Sequence, residues 1–317
     1  MKQNNYNAAQ AGETPPAILS AAVGTAKPQN VILNNGVSMP LLGLGLHGLA
    51  GEELVTAFET AVDCGYRLFD GAANYRNGDE IREVIRECKV PRKELFLTSK
   101  IRNKMHAYED TLREFDYITE SMGIDYLDML MIHFPCPRDG KFLESWKAME
   151  RLYEEGLVRV LGVSNFDVYC LEQIFANCKV APAVNQFECN PYITEEALRF
   201  YCRAKGIQPQ AFFPLGGPKD VEGFDPPEEV LMEDPVIGQV AEKYHRSPAQ
   251  IILRWEIQSG ISAVPKSKTP SRIRENIRIF DFVLEEEDYE KIRALNHNRR
   301  IGMDPILVEP CQVAHIE

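Results

Sequence analysis

The chain alternates two kinds of apolar pattern. Short runs in which most positions are apolar fall at LLGLGL (41–46), RLFDGA (67–72), LFLTSK (95–100) and LDMLMIH (127–133). They return at VRVLGVSN (158–165), AVNQFEC (183–189), IQPQAFF (207–213) and ISAVPK (261–266). Short apolar runs of this kind mark strands covered on both faces. Between them the apolar residues are spaced three and four apart, as in EELVTAFETAVDCG (52–65) and FLESWKAMERLYEEG (142–156). These read as amphipathic helices, each running to a glycine that can end it. Ahead of the first run, VILNNGVSMP (31–40) predicts a hairpin, with Asn35 and Gly36 turning between two short apolar arms.

Strands that alternate with helices form a parallel sheet, because each return crossover is occupied by a helix. One round of eight equal units in a chain of 317 residues predicts an α/β protein, a (β/α)₈ barrel with the hairpin closing its bottom. The stretch GGPKDVEGFDPPEEVLMED (216–234) is too long and too rich in Gly and Pro for a tight connection. It is expected to be a functional loop above the barrel. Residues 1–29, polar or small, are expected to be a disordered tail. That leaves 30–317 as one barrel domain, whose C-terminal segment from Asn296 is expected to fold back over the mouth.

One motif competes with this picture. Gly43, Gly45 and Gly48 form a G-x-G-x-x-G, and Asp70 follows 22 residues later, the outline of a Rossmann dinucleotide site. A hairpin precedes this strand, however, and the helix is expected to start near Gly51, after the glycines. Glu52 and Glu53 in its first turn would repel a pyrophosphate. The glycines are therefore read as letting a first barrel strand bend and pack closely.

Composition narrows the class. Hydrophobic residues make up 44% of the chain, enough for a large core, and the net charge of −12 argues against nucleic acid as a partner. No run reaches membrane-span length and no basic cluster marks a signal peptide. Cysteines at 64, 88, 136, 170, 178, 189, 202 and 311 form no C-x-x-C. Free thiols in the cytoplasm are expected. His106, His245, His297 and His315 have no ligand spacing, and no metal is expected.

Catalytic groups of such barrels sit at the C-terminal ends of the strands. Those ends carry Asp70, Lys100, His133, Ser164 with Asn165, Gln186 and Lys266, and Tyr75 follows five residues after Asp70. Singly each has a plainer reading: His133 a buried core histidine, Lys100 a strand cap, Asp70 the start of a turn, Tyr75 a surface aromatic. Together they can protonate an oxygen that gains negative charge. A lysine cation stabilises phenolate and is expected to lower the tyrosine pKa from about 10, an aspartate holds the lysine charged, and a histidine orients the oxygen. Carbonyl reduction is the natural reaction, and it needs a hydride donor such as a nicotinamide.

FDGAANYRNGDEI, LFLTSKI, LDMLMIHFP, VLGVSNF, NQFECNPY, FFPLGGP and VPKSKTPSRIRENI, in this order, resemble successive signatures of the aldo-keto reductase family. The resemblance implies that Asp70, Tyr75, Lys100 and His133 form the catalytic tetrad, with Tyr75 as proton donor. It implies that Ser164, Asn165 and Gln186 hold the nicotinamide carboxamide, and that Phe212 and Leu215 belong to the cofactor site. Lys266, Ser267, Arg272, Glu275 and Asn276 match positions that grip the adenosine end. The cofactor expected is NADPH, since Lys266, Lys268 and Arg272 would suit a 2′-phosphate and little in NADH. Phe212 stands where a tyrosine usually stacks, and His47, Arg102 and Phe134 stand where many members carry other pocket residues. These departures predict a more polar and more cationic substrate pocket, for a small-molecule carbonyl bound by a monomer or dimer. Two other readings stay open here: an NADPH-binding sensor barrel, and a Schiff-base aldolase using Lys100.

Overall fold

The computed structural model describes residues 29–217 and 229–310. The expected disordered tail lies, but for Gln29, outside these residues, as does most of the loop expected at 216–234. A hairpin opens the described chain, β1 (Asn30–Ile32) against β2 (Ser38–Pro40), antiparallel with Val31 opposite Met39. Gly36 takes φ +83° in its turn, which the Asn-Gly pair makes accessible.

Eight parallel strands follow: β3 (Gly43–Gly45), β4 (Leu68–Asp70), β5 (Phe96–Ile101), β6 (Leu127–Ile132), β7 (Val158–Ser164), β8 (Val184–Glu188), β9 (Gln208–Phe212) and β10 (Ser262–Ala263). All eight expected runs are present, most of them trimmed at one or both ends, while β5 runs one residue past its expected end. Neighbours in sequence are neighbours in the sheet, and bridges Leu42–Ala263 and Gly45–Lys266 join last strand to first, closing the barrel. The helices form the outer ring: α1 (Gly51–Cys64), α2 (Gly78–Glu87), α3 (Tyr108–Met122), α4 (Phe142–Glu154), α5 (Val168–Asn177) and α6 (Glu196–Ala204). It is completed by α7 (Pro235–Tyr244), α8 (Pro248–Gln258), α9 (Pro270–Asn276) and α10 (Glu286–Arg293).

Local chemistry explains the helix ends. Gly65 caps α1 at φ +102°, and Gly156 turns left-handed at φ +75° just past α4. Asp234 accepts from the Val236 and Ile237 amides at the start of α7, and Ser247 with Gln250 forms a capping box on α8. Trp146 is buried on α4 as core, as its helical spacing implies.

Inside the barrel, period-two alternation decides everything. Leu68, Phe96, Met129, Met131, Val160, Val184 and Val264 pack together with Leu33 and Met39 of the hairpin. The hairpin therefore plugs the bottom, held by hydrogen bonds from Asn34 to the Pro182 carbonyl and from Asn35 to the Arg159 carbonyl. The glycine motif is packing too. A Cβ at Gly43 would lie 2.0 Å from the Leu68 side chain, and one at Gly45 3.0 Å from the Val264 carbonyl. Small residues let the first strand sit against both neighbours.

Candidate active site

The site grows out of the same alternation. Asp70 is two residues beyond inward-facing Leu68, Thr98 and Lys100 two and four beyond Phe96, and His133 two beyond Met131. Gln186 and Glu188 continue from Val184 in the same way. Each strand fills the barrel with its apolar inward residues and presents polar ones at the rim.

Register then sets the contacts. Asp70 pairs with Thr98 across β4 and β5, so the Thr98 hydroxyl donates to Asp70 Oδ1 at 2.8 Å. Lys100, two residues further along the same face, donates to Asp70 Oδ2 at 2.7 Å and to the Gly71 carbonyl at 3.0 Å. Gln186 Nε2 donates to Asp70 Oδ1 at 3.0 Å and to Gln210 Oε1 at 2.8 Å. Lys100 is 1% exposed, yet every proton it can share has an acceptor. Burial pulls its pKa down, but Asp70 first and Tyr75 second hold it above the ordinary lysine value. The ammonium stays charged.

Tyr75 ends a short 3₁₀ turn (Ala73–Tyr75) just past β4. Lys100 Nζ lies 5.5 Å from its ring centroid and shares a side-chain hydrogen bond with the phenol. Buried Asn77 ties this turn to the loop after β3, donating to the Leu46 and Leu49 carbonyls at 3.1 and 3.0 Å. That brings the His47 ring edge-on to Tyr75, with centroids 4.9 Å apart, while His133 stands 6.3 Å away on the other side. Burial raises the phenol above its ordinary pKa, and Lys100 opposes without overcoming it. A donor in this state keeps its proton at neutral pH. His133 is driven well below 6.5 by burial and then by the Lys100 charge, so its imidazole is neutral. His47 is lowered as well, by burial and then by Lys100 and Lys266, although one side of it opens to solvent.

The residues expected at the cofactor lie on or just past β7, β8 and β9 and in the segment from β10 into α9. Ser164 and Asn165 close β7; Asn165 turns at φ +64° and its amide nitrogen reaches the His133 carbonyl at 3.0 Å and Ser164 Oγ at 3.1 Å. Because Asp70 and Gln210 occupy the Gln186 amide nitrogen, that side chain has its oxygen to offer a ligand. Phe212 ends β9 half-buried, its ring at 5.1 Å and 81° to that of Phe213, which takes φ +50°. Leu215 packs on the hydrophobic core. Lys266 lies beside Gly45 at the barrel closure, and neither it nor Arg272 forms an ion pair among the described residues. Ser267 folds its hydroxyl onto the Thr269 amide at 3.2 Å. Glu275, half-buried, and Asn276, buried, end α9. Lys268 departs from expectation: its amine pairs with Glu53 at 2.9 Å, on the surface. Such an exposed pair contributes little and yields easily to a better anion.

Arg102, expected in the substrate pocket, makes a two-pronged contact with Glu114 of α3, 2.5 Å on each prong, its guanidinium lying over the Tyr117 ring. Glu114 is fully buried, and a buried carboxylate demands a partner more strongly than an open pocket demands a cation. Replacing Arg102 by Ala is expected to cost about 1–3 kcal/mol in a denaturant melt, from the unpaired carboxylate. kcat/KM for small aldehydes should stay unchanged, and a large loss of activity without loss of stability would contradict this placement. The Phe134 ring lies 5.2 Å from that of His133 and packs with Cys136, Met303 and Val308.

The described part of the C-terminal segment packs against the strand ends and the loop after β6. Backbone amides of Ile301 and Gly302 donate to Glu188 at 2.7 and 2.8 Å, and Arg138 pairs with Glu309 at 3.0 Å. Thr98, Asn77, Gln210 and Glu188 were not singled out from sequence. Counting by twos from the strand residues that were would have found all but Asn77.

A family model described as the aldo/keto reductase family matches residues 41–297. The chain belongs to that family. It is 43% identical over 278 residues to an uncharacterized oxidoreductase, YtbE, of Bacillus subtilis, covering 86% of this chain and 95% of that protein. It is 42% identical over 282 residues to the glyoxal reductase of the same organism, covering 89% and 98%. The solved aldo-keto reductase of Bombyx mori, in complex with NADP, superposes with a TM-score of 0.80 at 34% identity, covering 87% of this chain and 95% of that one. Membership makes this chain an oxidoreductase that reduces carbonyl groups with NADPH.

Proposed function

We propose that this barrel, taken as one domain over residues 30–317, reduces short oxygen-bearing aldehydes and ketones, with Tyr75 giving the proton. The observation that carries the reading is one buried charge pair, Asp70 with Lys100, set beside a protonated phenol and a neutral imidazole at the barrel mouth. The residues present suit NADPH: amide and hydroxyl groups of Ser164, Asn165 and Gln186, an aromatic face at Phe212, and two cations, Lys266 and Arg272, that form no ion pair among the described residues. When bound, NADPH supplies a hydride to the carbonyl carbon.

The rest is done by the chain. His133 donates a hydrogen bond to the carbonyl oxygen and fixes its direction. Tyr75 passes its proton to that oxygen as negative charge gathers there, and Lys100 stabilises the phenolate left behind. Asp70 holds the ammonium in place. With Arg102 held by Glu114, the pocket's polar wall is His47, and Phe134, Met303 and Val308 form an apolar one. His47 can hydrogen-bond a second oxygen next to the carbonyl, which favours glyoxal-like and α-hydroxy compounds, in keeping with the name of one relative. In a carbonyl panel, long aliphatic aldehydes with the highest kcat/KM would overturn this choice.

Arg272→Ala tests the cofactor end. NADPH Kd should rise about 10–100-fold, the value of a charge-assisted contact, with NADH affinity held within about twofold. Equal weakening of both cofactors in fluorescence titrations would count against a 2′-phosphate role. Cys64, Cys88, Cys170, Cys178, Cys189 and Cys202 are free thiols, which suits a reducing cytoplasm. No helix among the described residues is long and apolar enough to cross a membrane. A monomer or dimer is the assembly we expect.

A further inference from the structure

Glu188 takes no part in the chemistry described above, yet it sits at the C-terminal end of a barrel strand with its side chain wholly buried. Both of its oxygens face the C-terminal segment. Oε1 accepts from the Ile301 amide at 2.7 Å and Oε2 from the Gly302 amide at 2.8 Å. Arg300 lies 3.9 Å from Oε2 and also pairs with Glu195. Two successive backbone amides on one carboxylate fix both position and direction of a segment, which one bond could not.

The place it fixes is the roof of the pocket. A Cβ at Gly302 would lie 2.9 Å from Glu188 Oε2 and 3.9 Å from the Phe212 ring, so the segment passes close above the aromatic. Ile301 lies against Gly217. A few residues on, Met303 and Val308 meet Phe134, which neighbours His133. Residues 301–308 thus span the mouth from the Phe212 side to the His133 side. Their far end is held by apolar contact and by the Arg138–Glu309 pair next to it, and their near end by Glu188, beside the Arg300–Glu195 pair.

We propose that Glu188 is a positioning residue for substrate selection: its carboxylate latches the C-terminal segment as a roof that short carbonyl substrates pass beneath and that larger ones must touch to bind. The selection half of this rests on the carbonyl-reductase reading above; the latch itself rests on geometry alone. Gly302 is its counterpart, because any side chain there would strike the carboxylate.

Two variants approach the latch from opposite sides. Glu188→Gln puts an amide N–H against a backbone N–H and removes the charge. Gly302→Ala pushes the segment off an intact carboxylate. Hydrogen exchange at the Ile301 and Gly302 amides should quicken by about 10–100-fold in both, the loss of a charge-assisted hydrogen bond. KM for 4-nitrobenzaldehyde should rise about tenfold, while kcat for propanal and NADPH Kd change by less than about twofold. Because the variants break one contact, their combination should cost little more than either alone. Unchanged exchange at both amides overturns the latch, and an equal rise in KM for both aldehydes overturns its role in selection. A wild-type enzyme that oxidises NADPH with neither aldehyde would sink the functional reading instead, and the exchange result would still decide the latch.

Discussion

Tyr75→Phe should lower kcat for carbonyl reduction by about 10²–10⁴-fold, the usual worth of a positioned proton donor. NADPH Kd should stay within about twofold, since the ring and its packing against His47 survive. The proposed role of the hydroxyl follows from its surroundings. Burial keeps the phenol protonated, so the proton is present when the oxygen needs it. Lys100, held charged by Asp70, stabilises the phenolate only once that proton has gone. The pH profile follows in sign. Reduction needs the protonated phenol, and that pKa lies above 10.0, so activity should fall only on the alkaline side of that value. His133 is neutral well below 6.5, so no acid limb should appear near that pH. A Tyr75→Phe enzyme that retains wild-type turnover would remove the proton donor from this account.

Asp70→Ala should be the most destabilising change at the site. It leaves a Lys100 ammonium that is 1% exposed without its counter-charge, and removes the acceptor used by Thr98 and Gln186. Breaking a buried ion pair from one side costs about 3–5 kcal/mol. For a domain of this size that is a fall in Tm on the order of 10 °C. Lys100→Met in the same background should recover part of the loss, because no charge is then stranded, while activity stays absent. If Asp70→Ala melted within a degree of wild type, the pair could not be the buried, fully engaged unit described.

Much of this was legible in the sequence, and for a physical reason. Strands covered on both faces show as continuous apolar runs, and eight of them in order leave few alternatives to a closed barrel. The rim residues were legible because polar side chains at the ends of such runs have nowhere else to go. Sequence reading faltered where a partner far along the chain decides. Arg102 was placed in the pocket because nothing local showed that Glu114, twelve residues on, would be buried and require it. Glu53 claimed Lys268 across more than two hundred residues in the same way. Tyr75's pKa also turned on burial, which a list of charged neighbours does not reveal. Glu188 escaped notice because its partners are backbone amides, which carry no residue signature.

The barrel wall is not equally strong all round. Where β6 meets β7 five residue pairs are in register, whereas the joint between β10 and β3 has only the bridges at Leu42 and Gly45, with backbone bonds from Ala263 to Leu41 and from Gly45 to Pro265. That joint carries Lys266 at its top. The joint between β9 and β10 is as thin, with two pairs in register, so a dinucleotide gripping Lys266 and reaching across toward the opposite rim would act as a staple over the weak side of the cask, making occupancy and integrity of the wall the same event.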